Sequence, residues 1–293
     1  MFKKKNILGI DISDVGQTQV LEYILQGLGK SARKYFIATP NPEILMLAKK
    51  DSHYKKVLNS AELALPDGIG IMLAAKILGK HLKQRIAGVD FVEGLCKEVA
   101  GKPITVGFLG GEPGVAEKTA ECLKQKYPGL RTSFAQEEVS KTRQTHVEND
   151  ARSGSFQKQS VRRSLSESLF KDKDFKKSKD QTAFSSFSNG LPSSSVSIPK
   201  VDILFVAFGS PKQEIWIYEN LKKLPIKVAI GVGGAFDLLS GRVARAPYWV
   251  RKIGVEWLFR LIRQPWRAKR QVALVKFIFL VLKERFNISI NNV

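Results

Sequence analysis

Short apolar runs recur along the chain, each closed by glycine, proline or asparagine and followed by a stretch with helical spacing. The runs Asn6–Ile10, Lys34–Ala38, Ala61–Leu65, Ile104–Leu109, Val201–Phe208 and Lys227–Val232 read as strands. Between them, Glu43–Lys50, Ile69–Leu78, Phe91–Ala100, Val115–Lys126 and Gln213–Lys222 place apolar residues three and four apart, as helices do. Alternation of this kind predicts the α/β class: a Rossmann-like, mostly parallel sheet with helices on both faces.

Two stretches leave the pattern. Residues 135–199 are rich in serine and lysine and poor in aliphatic side chains. Such a composition buries too little apolar surface to offset chain entropy, so the stretch reads as a disordered insertion dividing a core of residues 1–134 and 200–250. The second stretch, residues 251–293, reads as a helical, basic appendage. Within it Val272–Leu282 is apolar nearly all round, with Lys276 the one charge. A bilayer crossing needs about 20 such residues, so this run belongs to a buried helix or to one lying in a membrane interface.

Charge sharpens that choice. The chain has 48 Lys and Arg against 27 Asp and Glu, a net +21. About half of the excess lies beyond residue 240, where only Glu256 and Glu284 are acidic. A cationic surface of this size attracts phosphate, whether in nucleic acid, lipid headgroups or a diphosphate substrate. No nucleic-acid motif is present, and tryptophans at 249, 257 and 266 beside an apolar run suit a lipid surface better than a duplex. Cys96 and Cys122 are the only cysteines, which offers no disulfide or zinc framework and fits a reducing cytoplasm. Ile7–Ile10 is too short for the apolar core of a secretory signal. With no Asp-x-Asp pair on a strand end and histidines scattered at 53, 81 and 146, no metal site is expected.

The candidate chemistry gathers where strands run into helices. Asp202–Glu214 is a buried-strand pattern that meets a glycine turn and opens a helix carrying Gln213, the position at which open α/β sheets bind ligands. Thr39-Pro-Asn41 occupies the same rim. Asn41 suits a helix cap before Pro42, or can present its amide to a sugar with the Thr39 hydroxyl. Asp67, after Pro66, suits either a cap or a general base for an acceptor hydroxyl. Arg85 and Asp90 orient substrate or pair with each other. Gly110 and Gly111, in a glycine-rich turn after a strand, would let backbone amides approach a diphosphate. No acidic residue follows the next strand to hold a ribose, which weighs against a dinucleotide enzyme. Arg260, Arg263, Arg267 and Arg270 fall on one stripe of a continuous helix, unless Pro265 breaks it.

Taken as a set, Thr39-x-Asn41, Pro66-Asp-Gly68, Gly110-Gly-x-Pro-Gly114, Gly209-Ser-Pro-Lys-Gln-Glu214, Gly231-Val-Gly-Gly-Ala-Phe-Asp237, Arg245-Ala-Pro247 and Glu256-Trp-Leu-Phe-Arg260 resemble the WecG/TagA/CpsF family of bacterial glycosyltransferases, glycosyltransferase family 26. The resemblance covers about Ile37–Leu130 and Val201–Arg270. It implies inverting, cofactor-free and metal-independent transfer of a sugar, N-acetylmannosamine in the best-understood members. The donor would be a UDP-sugar and the acceptor a polyprenyl-diphosphate-linked N-acetylglucosamine, in cell-surface polysaccharide or teichoic-acid-type synthesis. Asp67 would be the base; Thr39, Asn41, Arg85 and Gln213 would line the pocket. Arg260, Arg267 and Arg270 would close over the diphosphate while the appendage docks the enzyme on the inner face of the cytoplasmic membrane. Removal of the chain after about Val255 should then leave a folded core with little activity. A homo-oligomer stays open. One departure stands out: Tyr127-Pro-Gly129 leads to Phe134 and then into the serine tract, so one strand–helix unit is expected to be eroded. A non-catalytic scaffold and a nucleic-acid-binding protein are the competing classes.

Overall fold

Five of the apolar runs have too few polar positions to face water on either side, and they assemble, with a more polar edge strand at Arg131–Gln136, into one sheet covered on both faces. The computed structural model describes residues 2–29, 33–136, 198–263, 265 and 268–290, all within one compact unit. In chain order the strands are β1 Lys4–Ile7, β2 Ile10–Ser13, β3 Tyr35–Ala38, β4 Leu63–Ala64, β5 Thr105–Gly110, β6 Arg131–Gln136, β7 Val201–Ala207 and β8 Ile226–Gly231. The helices are α1 Gln17–Leu28, α2 Pro42–Lys50, α3 Ser52–Asn59, α4 Ile69–Ile77, α5 Gly88–Val99, α6 Val115–Lys126, α7 Lys212–Asn220, α8 Ala235–Leu239, α9 Tyr248–Lys252, α10 Glu256–Arg263 and α11 Ala268–Ile290.

The main sheet has the order β4-β3-β8-β7-β5-β6 and is parallel throughout. Its centre is β7, in which every residue except Asp202 is buried. Asp202 does not disturb the core. Its carboxylate accepts hydrogen bonds from the Thr105 amide and hydroxyl, 2.9 Å each, and pairs with Lys227 at 3.2 Å. The amino ends of β5, β7 and β8 are thereby tied together. Helices α1, α5, α6 and α8 pack on one face over Phe108, Phe205 and Phe236. On the other face α7 packs on β3, β7 and β8, with α3 beside it and α2 against α3.

Three expectations change. The apolar run at Asn6–Ile10 is not a strand of the sheet: Leu8 (φ 49°) and Gly9 (φ 86°) form a two-residue turn between antiparallel β1 and β2. The Asn6 side-chain oxygen accepts from the Gly9 amide at 3.0 Å, which holds that turn and explains how an unbroken apolar run can reverse direction. The strand expected to be eroded is present. Arg131–Gln136 pairs with β5 across a register shift at Val106/Gly107, so Ala135 and Gln136 belong to the sheet, and residues 137–197 of the serine tract lie outside the described residues. The basic stripe does not run along one helix, because α10 ends at Arg263 and α11 begins at Ala268 on either side of Pro265. Proline lacks the amide a continuing helix needs, and its ring clashes with the preceding turn.

The C-terminal apolar run turns out to be two-faced. Helix α11 packs along α2 and α4, where Phe277 and Val281 are each 1% exposed. Val275, Phe279 and Phe286 point outward, Phe279 being 66% exposed. Among the described residues no helix is long and apolar enough to cross a membrane.

Candidate active site

The loops that leave β3, β4, β7 and β8 at their carboxyl ends meet around a cleft of about 530 Å³. Thr39, Asn41, Asp67, Arg85, Gln213 and Arg260 all line it, although they are spread over more than 200 positions of sequence. Each is held by a specific local cause. Thr39 is buried at the end of β3 and donates its hydroxyl to the Gly231 carbonyl at 2.9 Å, which ties β3 to β8. Asn41 caps α2: its side-chain oxygen accepts from the Ile44 amide at 3.0 Å, with Pro42 as the first helical residue.

Asp67 is not a cap. Gly68, at φ 85°, takes the N-cap position of α4, and no side chain caps that helix. The backbone amide of Asp67 donates to the Pro40 carbonyl at 3.0 Å, anchoring the residue beside the β3 loop. Its carboxylate accepts from the Gly88 amide. Gly88 sits where the site converges: a methyl group there would lie 3.6 Å from the Thr39 hydroxyl and 3.9 Å from Oδ2 of Asp67. Burial pushes the Asp67 carboxyl up to about 7; Arg85 and the Gly88 amide pull it down, while Glu256 and Asp90 push it further up. The cap and base readings of Asp67 thus separate, since it is short of the amide donors a cap would give it.

Gln213 is 1% exposed and its polar atoms are committed to the protein. Its side-chain oxygen accepts from the Gly233 amide at 2.9 Å, and its amide nitrogen donates to Glu214 at 2.7 Å. Glu214 is fully buried, and it also accepts from the Tyr54 and Ser210 hydroxyls at 2.9 and 2.8 Å. Burial raises its carboxyl above the usual range against those three donors. The pair fixes the turn after β8 against the start of α7, so Gln213 shapes the cleft wall more than it presents a group to a ligand.

The arginines divide into two sets. Arg85 donates to the Arg251 carbonyl at 2.9 Å and leaves Asp90, its expected partner, to others. Asp90 pairs with Arg245 and, at 3.6 Å, with Arg251. Arg245, from the Arg-Ala-Pro motif, also reaches Glu93 at 3.5 Å and Glu256 at 3.7 Å. These ion pairs fasten the segment carrying α9 and α10 to α5. Arg260 projects from α10 over the turn after β8: its guanidinium is 3.8 Å from Asp237 and would be 3.3 Å from a Cβ at Gly234. Arg263 instead covers the Phe259 ring at 5.3 Å. Arg267 lies outside the described residues. Arg270 falls in the first turn of α11, and its side chain lies outside them too.

Gly110 and Gly111 do not line the cleft. They have φ of 102° and 85°, and a Cβ at Gly110 would come within 2.9 Å of the Ala207 backbone. The Gly111 amide donates to the Ala207 carbonyl at 3.1 Å, and Glu112 is paired with Arg242. These glycines permit close packing of the β5 turn on the end of β7, a demand that reads in sequence just like a phosphate loop. Conversely, Glu256, Gly88, Ser210 and Gly233 line the cleft without having been singled out for it. Ser210, Gly233 and Glu256 each lie within a motif that carried the family resemblance, and Glu256 is also one of two acids in a basic C-terminus.

Beyond this polar end the cleft continues between α2, α4 and α11, where Ile44, Leu47, Leu73, Ile77, Leu274 and Ile278 line it. A parallel α/β sheet with a raised carboxylate and two arginines at its carboxyl edge is an α/β enzyme of the kind that binds ligand outside the strand ends. The family model described as "Glycosyl transferase WecG/TagA/CpsF family" matches residues 5–153 and 194–290, and the chain belongs to that family of glycosyltransferases.

Its relatives agree. A protein of Bacillus spizizenii named N-acetylglucosaminyldiphosphoundecaprenol N-acetyl-beta-D-mannosaminyltransferase is 30% identical over 279 residues, covering 95% of this chain and 91% of the relative. Proteins of the same name from Bacillus subtilis (30% over 251 residues, 86% of this chain and 80% of the relative) and Staphylococcus aureus (27% over 287 residues, 98% and 95%) match comparably.

Proposed function

We propose that this glycosyltransferase moves N-acetylmannosamine from its UDP donor, with inversion and without a metal ion, onto N-acetylglucosamine carried on a polyprenyl diphosphate. The observation that carries the reading is Asp67, a carboxylate raised to about 7 on a cleft that it shares with Arg85 and Arg260. A base of this strength is poised to take the proton of the acceptor hydroxyl near neutral pH. As that oxygen bonds to the anomeric carbon from one face, the bond to the UDP oxygen breaks on the other. UDP departs with the bonding electrons. Arginine forks can neutralise its diphosphate in place of a divalent ion; Arg260, over the β8 turn, would supply one, and Arg267 and Arg270 are the further candidates. The family membership and the relatives' names support the choice of sugars. The enzyme would sit peripherally on the cytoplasmic face of the membrane, using the exposed apolar residues Tyr248 and Trp249 on α9, Ile253 just after it, and Ile262 on α10.

The test is UDP release from UDP-N-acetylmannosamine with the lipid-linked acceptor in detergent and chelator, comparing wild type with Asp67→Asn. Acceptor-dependent release abolished by Asp67→Asn supports the reading. Robust turnover by the variant removes Asp67 as the base. Silence from the wild type, repeated with other UDP-sugars, favours a scaffold.

A further inference from the structure

The cleft is much longer than a reacting hydroxyl and a diphosphate require, and its two ends differ chemically. All five charged residues of its lining come from the loop after β4, the loop between α4 and α5, the first turn of α2 or α10: Asp67, Arg85, Glu43, Glu256 and Arg260. The remainder, along α2 and α4 and under α11, is hydrocarbon. At 1.5 Å per residue, Leu47 and Ile77 lie about 9 and 13 Å along their helices from the caps at Asn41 and Gly68. Leu274 and Ile278, one turn apart on α11, form the opposite wall. That wall is fixed in place, because Phe277 and Val281 of the same helix are fully buried. The mouth is apolar too: Leu73 is 47% exposed, and the outer face of α11 presents Val275 and Phe279. A ligand matching this surface is anionic at one end and hydrocarbon beyond it.

We infer that the groove between α2, α4 and α11 binds the isoprene units next to the diphosphate of a prenyl-linked acceptor, drawing them out of the bilayer into the protein. The inference rests on the proposed acceptor, and it assigns α11 a part beyond docking: it is a wall of the acceptor site. Binding the chain next to the diphosphate sets the distance of the acceptor sugar from Asp67. Recognition then depends on the first units of the chain and is indifferent to the rest.

Water-soluble acceptors test this, with N-acetylglucosamine diphosphate esterified to methyl, or to five-, ten- or fifteen-carbon prenyl groups, below their micelle concentrations. We expect kcat/KM to rise at least tenfold from methyl to ten carbons and then to level off. Leu47→Trp and Ile77→Trp, which fill the groove, should each cut the ten-carbon to methyl ratio at least fivefold. A photoreactive ten-carbon prenyl diphosphate on wild-type protein should label peptides from α2, α4 or α11, a readout that needs no variant to fold. Transfer with no dependence on chain length overturns the groove and leaves the proposed reaction standing. So does a gradient that survives both substitutions with labelling elsewhere. No transfer to any acceptor overturns both.

Discussion

Asp67→Asn should make the protein more stable at pH 8 while silencing it, and the size of the gain is set by the site. The ordinary carboxyl value is 3.8, and in the fold it is about 7. Between those values the native protein holds a proton that the unfolded chain has released. Stability from this group is therefore full below about pH 4 and is lost as pH rises through 7. At about 1.4 kcal/mol per unit, the complete loss is about 4 kcal/mol, an upper bound because the cleft admits water. Asparagine cannot titrate, so the variant escapes the loss. Linkage across the two values predicts that its advantage over wild type widens by about 2–3 kcal/mol from pH 5 to pH 8.

Urea denaturation at the two pH values reads this directly. A gap that does not change with pH would refute the raised carboxyl, and a variant weaker by about 1 kcal/mol at both would restore the helix-cap reading. Activity provides a second check. The kcat/KM of wild type should climb with pH through about 7, since that parameter reports the free enzyme. The climb should move to lower pH in Glu256→Gln, which removes a like charge, and to higher pH in Arg85→Gln, which removes the attracting one.

Three further outcomes are expected. Gln213→Ala strips partners from the Gly233 amide and from buried Glu214, so it should lower stability by about 2–3 kcal/mol in urea melts and reduce activity through the displaced β8 turn. Ending the chain after Arg263 removes α11, and uncovering the contacts of Phe277 and Val281 should cost about 3–6 kcal/mol. The truncated protein should therefore melt early as well as lose activity, and an unchanged melting temperature would show α11 to be undocked. Ile262→Asp with Phe279→Asp changes two residues that are 73% and 66% exposed. It should weaken co-sedimentation with anionic vesicles at least tenfold and leave the melt unchanged, whereas equal binding would move the membrane contact elsewhere.

The sequence alone determined the class of fold, because apolar runs with no polar face can be satisfied only inside a covered parallel sheet. It also determined the family, through seven short motifs, five of which sit where a strand of the sheet meets a helix. Thr39, Asn41, Asp67 and Gln213 were legible as one site because parallel strands deliver their carboxyl ends to a common edge however far apart they lie in the chain, while Arg85, in the loop between α4 and α5, and Arg260, on α10, joined them through the family resemblance. What each residue does there was decided by tertiary contacts. Whether Asp67 caps a helix or waits as a base depends on Gly68 taking the cap and on Glu256 and Arg85 arriving from other segments. Whether a glycine turn cradles phosphate or packs on a neighbour depends on Ala207 standing beside Gly110. The face of α11 that meets α2 and α4 was hidden as well, since a helix apolar all round does not reveal which side will find a partner.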